Sequence, residues 1–115
     1  MNRFIINYSP DLIARDLCDK HVVKMPLEEA QMLCTTLRLH APEYAKHTNL
    51  YRAVHQKHPC TIWAGQSRAN YEFSLEMFRW MCKEYTHRYG KTHASWRLWD
   101  ALVEGAEFVP DGLLT

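Results

Sequence analysis

Between residues 67 and 90 the apolar side chains keep a period that only one kind of backbone satisfies. Tyr71, Leu75, Phe78, Cys82, Tyr85 and Tyr89 alternate steps of four and three. An α-helix returns to the same face at that spacing, and a strand does not. Phe73, Met77 and Met81 widen the stripe, and Trp80 adds bulk. A helix apolar over so wide a face must be covered by other elements, so the fold is built around it. Gly90 is placed to end it as a C-terminal cap, with Arg88 and Lys91 near the negative end of the helix dipole. Its start is expected near Ser67, or earlier through Ile62 and Trp63.

A second long helix is expected from Lys20 to about Leu39. Its core face is read as Val23, Leu27, Ala30, Leu33 or Cys34, and Leu37, at intervals of three and four. Pro26 lies inside it, where proline removes a backbone donor and bends the axis. Upstream, Ser9-Pro10-Asp11 combines a capping hydroxyl, a proline at the first helical position and a first-turn acid. It opens a helix carrying Leu12, Ile13, Leu17 and Cys18. Arg3 to Tyr8 (RFIINY) is a short strand or an extended arm. A last helix spans Ala94 to Glu104, with Trp96, Leu98, Trp99 and Leu102. Residues 41–59 keep no period and read as a long loop with one turn of helix; loops of this length in a compact domain are usually functional or mobile. The expected fold is mainly α. It is a compact orthogonal bundle of three to four helices, with a short extended N-terminal segment and a long basic loop, in a single domain over residues 1–115.

Charge narrows the partners. The 115 residues carry a net charge of +1, with 47 % hydrophobic and 23 % charged residues, an ordinary globular composition. No global field marks a duplex binder. From Ala45 to Tyr71 there is no acid, but there are Lys46, Arg52, Lys57 and Arg68, with His47, His55 and His58. After Arg97 only acids follow: Asp100, Glu104, Glu107 and Asp111. A basic segment in a near-neutral chain fits a local anion site better than a long duplex surface. No window is apolar enough to span a bilayer, and the N-terminus turns polar too quickly for a signal peptide. Cys18, Cys34, Cys60 and Cys82 show no paired motif and read as thiols of a reducing compartment, so a cytoplasmic location is expected.

Three polar-aromatic patches stand out. In residues 19–28 (DKHVVKMPLE), Lys20, Lys24 and Glu28 recur every fourth residue on one helix face, with His21 and Gln31 beside it. A solvated Lys–Glu ladder is the plain reading of that stretch alone. In residues 58–71, His58 contacts a phosphate or a base, or else caps a loop. Trp63, Ser67, Asn70 and Tyr71 share one side if a helix begins near Pro59, with Trp63 belonging to the core. Asn70 is a poor interior helix former unless its amide bonds something specific. In residues 84–93 (EYTHRYGKTH), Arg88 and Lys91 can hold phosphate and the tyrosines can stack on a base. Equally, Glu84–Arg88 is an ordinary i, i+4 pair, with Lys91 and His93 capping the helix. His55-x-x-His58-x-Cys60 lacks a fourth ligand at a matching spacing, so no metal and no cofactor is expected. Brought together, the patches form a pocket with cations, Glu28 as a base, and Tyr71 or Tyr85 as a stacking face.

The layout of Met1-Asn2-Arg3-Phe4, of Lys20 to Pro26, and of a helix ending Arg88-Tyr89-Gly90 resembles the pyrimidine-dimer DNA glycosylase family of the phage endonuclease V type. The segments DKHVVKM, HPCTIW, SRANY and EYTHRYGKTH resemble those of a group of small phage proteins. The first resemblance implies that the α-amine of residue 2 attacks a sugar carbon, assisted by a helix glutamate just before the proline. Basic residues then grip a kinked duplex from which a base is flipped. This chain departs from that pattern at two positions. Residue 2 is Asn2, whose size normally blocks removal of Met1, and Lys24 stands where the glutamate is expected, with Glu28 one turn on. Arg3 matches a basic residue near the amine.

The leading expectation is a DNA glycosylase-like protein or a degenerate relative. Lys24, Glu28 and Asn2 are its catalytic candidates. Arg3, Lys20, His21, His58, Asn70, Tyr71, Arg88, Lys91 and His93 are its nucleotide- and phosphate-binding candidates. Lys24 acts as an amine nucleophile if burial and Lys20 lower its pKa. The rival from another class is a non-catalytic protein binding a small nucleotide, such as a signalling nucleotide. A third is a protein-interaction module presenting Trp96 and Trp99.

Overall fold

The computed structural model describes residues 19–54 and 56–113, with side chains from His21 onward. The expected N-terminal arm and the helix expected from Ser9 lie outside the described residues, as do Asn2, Arg3, Cys18 and His55. The protein is mainly α, and no strand occurs among the described residues. The helices are α1 (Asp19–His40), α2 (Pro42–Lys46), α3 (Pro59–Gln66), α4 (Arg68–Tyr89) and α5 (Trp99–Gly105). Two 3-10 turns, Ala94–Leu98 and Ala106–Phe108, flank α5.

The helix boundaries follow local chemistry. Proline occupies the first turn of α2 and α3, where its missing N–H costs nothing. Ser67 is extended (φ −155°, ψ 156°) and separates α3 from α4. Its hydroxyl accepts from the Asn70 N–H at 3.1 Å and donates to the Leu113 carbonyl at 3.1 Å. At the far end of α4, Gly90 is left-handed (φ 68°), and its N–H reaches the Thr86 carbonyl at 2.8 Å. The expected single helix from Ala94 divides instead, with a tighter 3-10 turn before α5.

Helix α1 is the central strut. It packs against α4 most extensively, then α3 and α2. Glu29, Ala30, Met32, Leu33, Cys34, Thr35, Thr36 and Leu37 are all buried, so the stretch 32–37 is covered on every side. The buried threonines of α1 satisfy their hydroxyls. Thr35 Oγ1 lies 2.7 Å from the Val54 carbonyl and accepts the Val54 N–H at 2.9 Å. Thr36 Oγ1 donates to the Met32 carbonyl at 3.0 Å.

One sequence expectation is corrected here. Val23 and Leu27 are 45 % and 39 % exposed, so they are not core positions. Val22 and Met25 are buried in their place and pack with Met77 and Met81, backed by Phe73, Trp80 and Tyr85. A larger cluster joins Leu33, Leu37, Tyr71, Phe78, Leu98, Leu102 and Val109. Each of these side chains contributes about 1.5–3 kcal/mol by leaving water.

Three arginines are spent on holding irregular chain. Arg38 donates to the carbonyls of Tyr51 (2.7 Å) and Leu50 (2.9 Å). Arg97 donates to Asn49 (2.9 Å), its guanidinium 5.2 Å from the Tyr51 ring centroid. Arg68 donates to Ala106 (3.1 Å) and Glu107 (3.2 Å), and so fixes the C-terminal segment beside the α3–α4 junction. The long loop expected over 41–59 therefore holds one short helix and a segment pinned to α1.

Candidate functional site

Two of the three patches meet. His93, just past α4, places Nε2 3.1 Å from the carbonyl of Val23 on α1. Its Nδ1 accepts the Ser95 N–H at 3.1 Å, which puts the ring proton on Nε2. The same ring lies edge-on to Tyr85, with centroids 4.8 Å apart, and Tyr85 lies 5.0 Å from Tyr89. Tyr85 also packs on the Val22–Met25–Met77–Met81 cluster. The 19–28 and 84–93 stretches thus form one seam between α1 and the end of α4. Lys24 follows Val23 directly, Lys91 lies two residues before His93, and both are exposed. Tyr89 is 42 % exposed. Glu28 and His21 are half-buried on the same part of α1.

The third patch does not join them, because it belongs to the opposite end of α4. Asn70 and Tyr71 were expected to read a base, but both are fully buried. The Asn70 amide donates to the Trp63 carbonyl at 2.9 Å, and the Tyr71 hydroxyl to the Leu102 carbonyl at 2.6 Å. They tie α4 to α3 and α5. His58 caps α3, its Nδ1 accepting the Cys60 N–H at 3.1 Å. Arg88 was expected to hold phosphate. Its Nε instead meets Glu84 Oε2 at 2.7 Å in a largely buried ion pair, so its charge is balanced within the fold. Lys24 is exposed on α1.

Next to the seam, and sharing His93 with it, lies a cavity of about 260 Å3 lined by Cys82, Lys83, Thr86, Thr92, His93 and Trp96. Burial pushes the Cys82 thiol up to about 12, so that wall is neutral. The Thr86 hydroxyl donates to the Cys82 carbonyl at 3.1 Å. Lys83 Nζ rests 4.7 Å from the Trp80 ring centroid, and Arg79 lies 5.0 Å from the same ring. Trp96 stacks on Trp99 with centroids 4.9 Å apart, so these indoles, expected as a partner surface, are half-buried and packed on each other.

No protein-family model, curated protein or solved structure matches this chain.

Sequence reasoning missed Glu29. It singled out Glu28, yet Glu29 is the carboxylate that is completely buried, and it has an interaction partner. A buried carboxylate persists only when paired or hydrogen-bonded. The missed signal is its register: Val22, Met25, Glu29, Met32 and Thr36 repeat at three and four. Lys83 and Thr92 were also not selected, and Trp96 was read only as a helix and partner-surface residue; only the folded chain turns the residues after Gly90 back against α4 to join Lys83.

Proposed function

We propose that this chain is a glycosylase-like nucleic-acid-binding protein whose strand-binding face is the α1–α4 seam. The supporting observation is the contact of His93 with the Val23 carbonyl, which sets the lysine-bearing 19–28 stretch beside the tyrosine-bearing 84–93 stretch. On this reading Lys24 and Lys91 contact phosphates, and the exposed edge of the Tyr85–Tyr89 pair stacks on a base that has left its helix. A net charge of +1 suits a short, distorted or single-stranded target better than extended duplex. Glu28, one turn from Lys24, is the carboxylate nearest in sequence to those contacts.

Binding and chemistry separate in one experiment. The protein is mixed with an oligonucleotide carrying an abasic site, and binding is read by anisotropy before borohydride is added. A trapped covalent adduct assigns amine chemistry; binding without an adduct assigns a recognition role. Absence of binding by intact protein would sink the proposal.

A second reading, a protein for free small nucleotides, is favoured by the same near-neutral charge and by the cavity beside His93.

A further inference from the structure

We infer that the cavity between the end of α4 and the 92–96 segment binds a nucleoside monophosphate, with the phosphate at Lys83 and Thr92 and the base against Trp96. This assigns a site to the small-nucleotide reading and rests on it.

Size comes first. At about 260 Å3 the space lies just under the range of about 300–1,000 Å3 that accommodates drug-sized ligands. One base with its sugar phosphate is the scale it suits; a dinucleotide is not. The lining then divides by chemistry. Lys83 is exposed and supplies the positive charge, its ammonium steadied 4.7 Å from the Trp80 ring centroid. Thr92 is exposed and carries a hydroxyl that can donate to a phosphate oxygen. Thr86 has spent its proton on the Cys82 carbonyl, so it offers lone pairs, which suit a ribose hydroxyl or an exocyclic amine. His93 has both ring nitrogens engaged, with Ser95 and Val23, so it contributes ring surface to the cavity. Trp96 is held by Trp99 on one side and lies 6.1 Å from Phe78, so it is a fixed wall for a planar base. One cation and one aromatic wall match one phosphate and one base. Among the described residues no acidic side chain lines the cavity to repel the phosphate.

The test uses the full chain, labelled with nitrogen-15, titrated in turn with adenosine 5′-monophosphate, adenosine and inorganic phosphate. The expected result is saturable amide shifts at Thr86, Thr92 and Trp96 with the monophosphate, and weaker binding of the other two. Lys83→Ala removes an exposed side chain, so its fold is retained. It should weaken the monophosphate roughly tenfold, the loss of one charge-assisted contact. Thr92→Val should weaken it less. Shifts that map elsewhere, equal binding of inorganic phosphate, or a Lys83→Ala protein as tight as the parent would overturn the assignment of this cavity. If no nucleotide binds anywhere on the parent protein, the small-nucleotide reading falls with it, while strand binding at the seam is measured independently.

Discussion

Thr61 shows how one side chain reports on the interior. It sits in α3, 2 % exposed, and its Oγ1 has no hydrogen-bond partner among the described residues. A buried hydroxyl without a partner costs free energy, and an isosteric methyl removes that cost. Thr61→Val should therefore hold or raise stability, by up to about 1 kcal/mol, read as a higher urea midpoint with unchanged slope. The thiols make a second residue-scale statement. Burial raises Cys34 from 9.0 to about 11 and Cys82 from 9.0 to about 12, and it also raises Tyr71. Below pH 9 these thiols are protonated folded and unfolded alike, so their contribution is fully present. Above about pH 9 the unfolded chain releases its thiol protons first, and stability falls until pH passes the folded values. A urea-midpoint series should be flat in this respect to about pH 9 and decline steadily from there to about pH 12. Replacing Cys34 and Cys82 by alanine should flatten that decline, at a cost in baseline stability.

At the scale of elements, legibility depended on whether one periodic stripe excluded all others. For α4 it did: Ser67, the four-three stripe and Gly90 marked a helix found at Arg68–Tyr89. For α1 two stripes competed. Val23, Leu27, Ala30 and Leu37 offered an all-apolar face; Val22, Met25, Glu29, Met32 and Thr36 contained a charge and a hydroxyl. A reader weighing hydrophobicity alone prefers the first. In the fold the second is buried along its whole length, and Val23 and Leu27 are left exposed. Thr36 is acceptable inside because its hydroxyl donates to the Met32 carbonyl and reaches the Thr61 carbonyl at 3.4 Å, and Glu29 has an interaction partner, neither of which hydrophobicity displays. The α1–α5 crossing is tight in a way a sequence does not announce. A Cβ at Gly105 would fall 2.5 Å from Leu37 Cδ1 and 2.8 Å from Cδ2. Leu37 is fully buried and has little room to yield. Gly105→Ala should cost about 1–3 kcal/mol in chemical unfolding. A smaller cost would mean that α5 can slide.

At the scale of the whole molecule, the patches were legible and their pairing was not. Sequence reading marked 19–28, 58–71 and 84–93, but helix length decides which can meet. Helix α4 runs for 22 residues and carries Asn70 and Tyr71 near one end and Tyr85 and Tyr89 near the other. Asn70 and Tyr71 become braces in the core, as their burial and carbonyl partners show. The other two patches close on each other because α1 and α4 pack side by side and the turn after Gly90 returns His93 to Val23. What remains is a seam with two exposed lysines and an aromatic pair, and a small cavity next to it. On the proposed function this seam binds nucleic acid through Lys24 and Lys91. The affinity of the Lys24→Ala/Lys91→Ala protein for an abasic-site oligonucleotide, measured across a salt series, decides it. Binding should weaken about tenfold or more, with a shallower dependence on salt because two phosphate contacts are gone. Affinity and salt slope equal to those of the parent protein would contradict it.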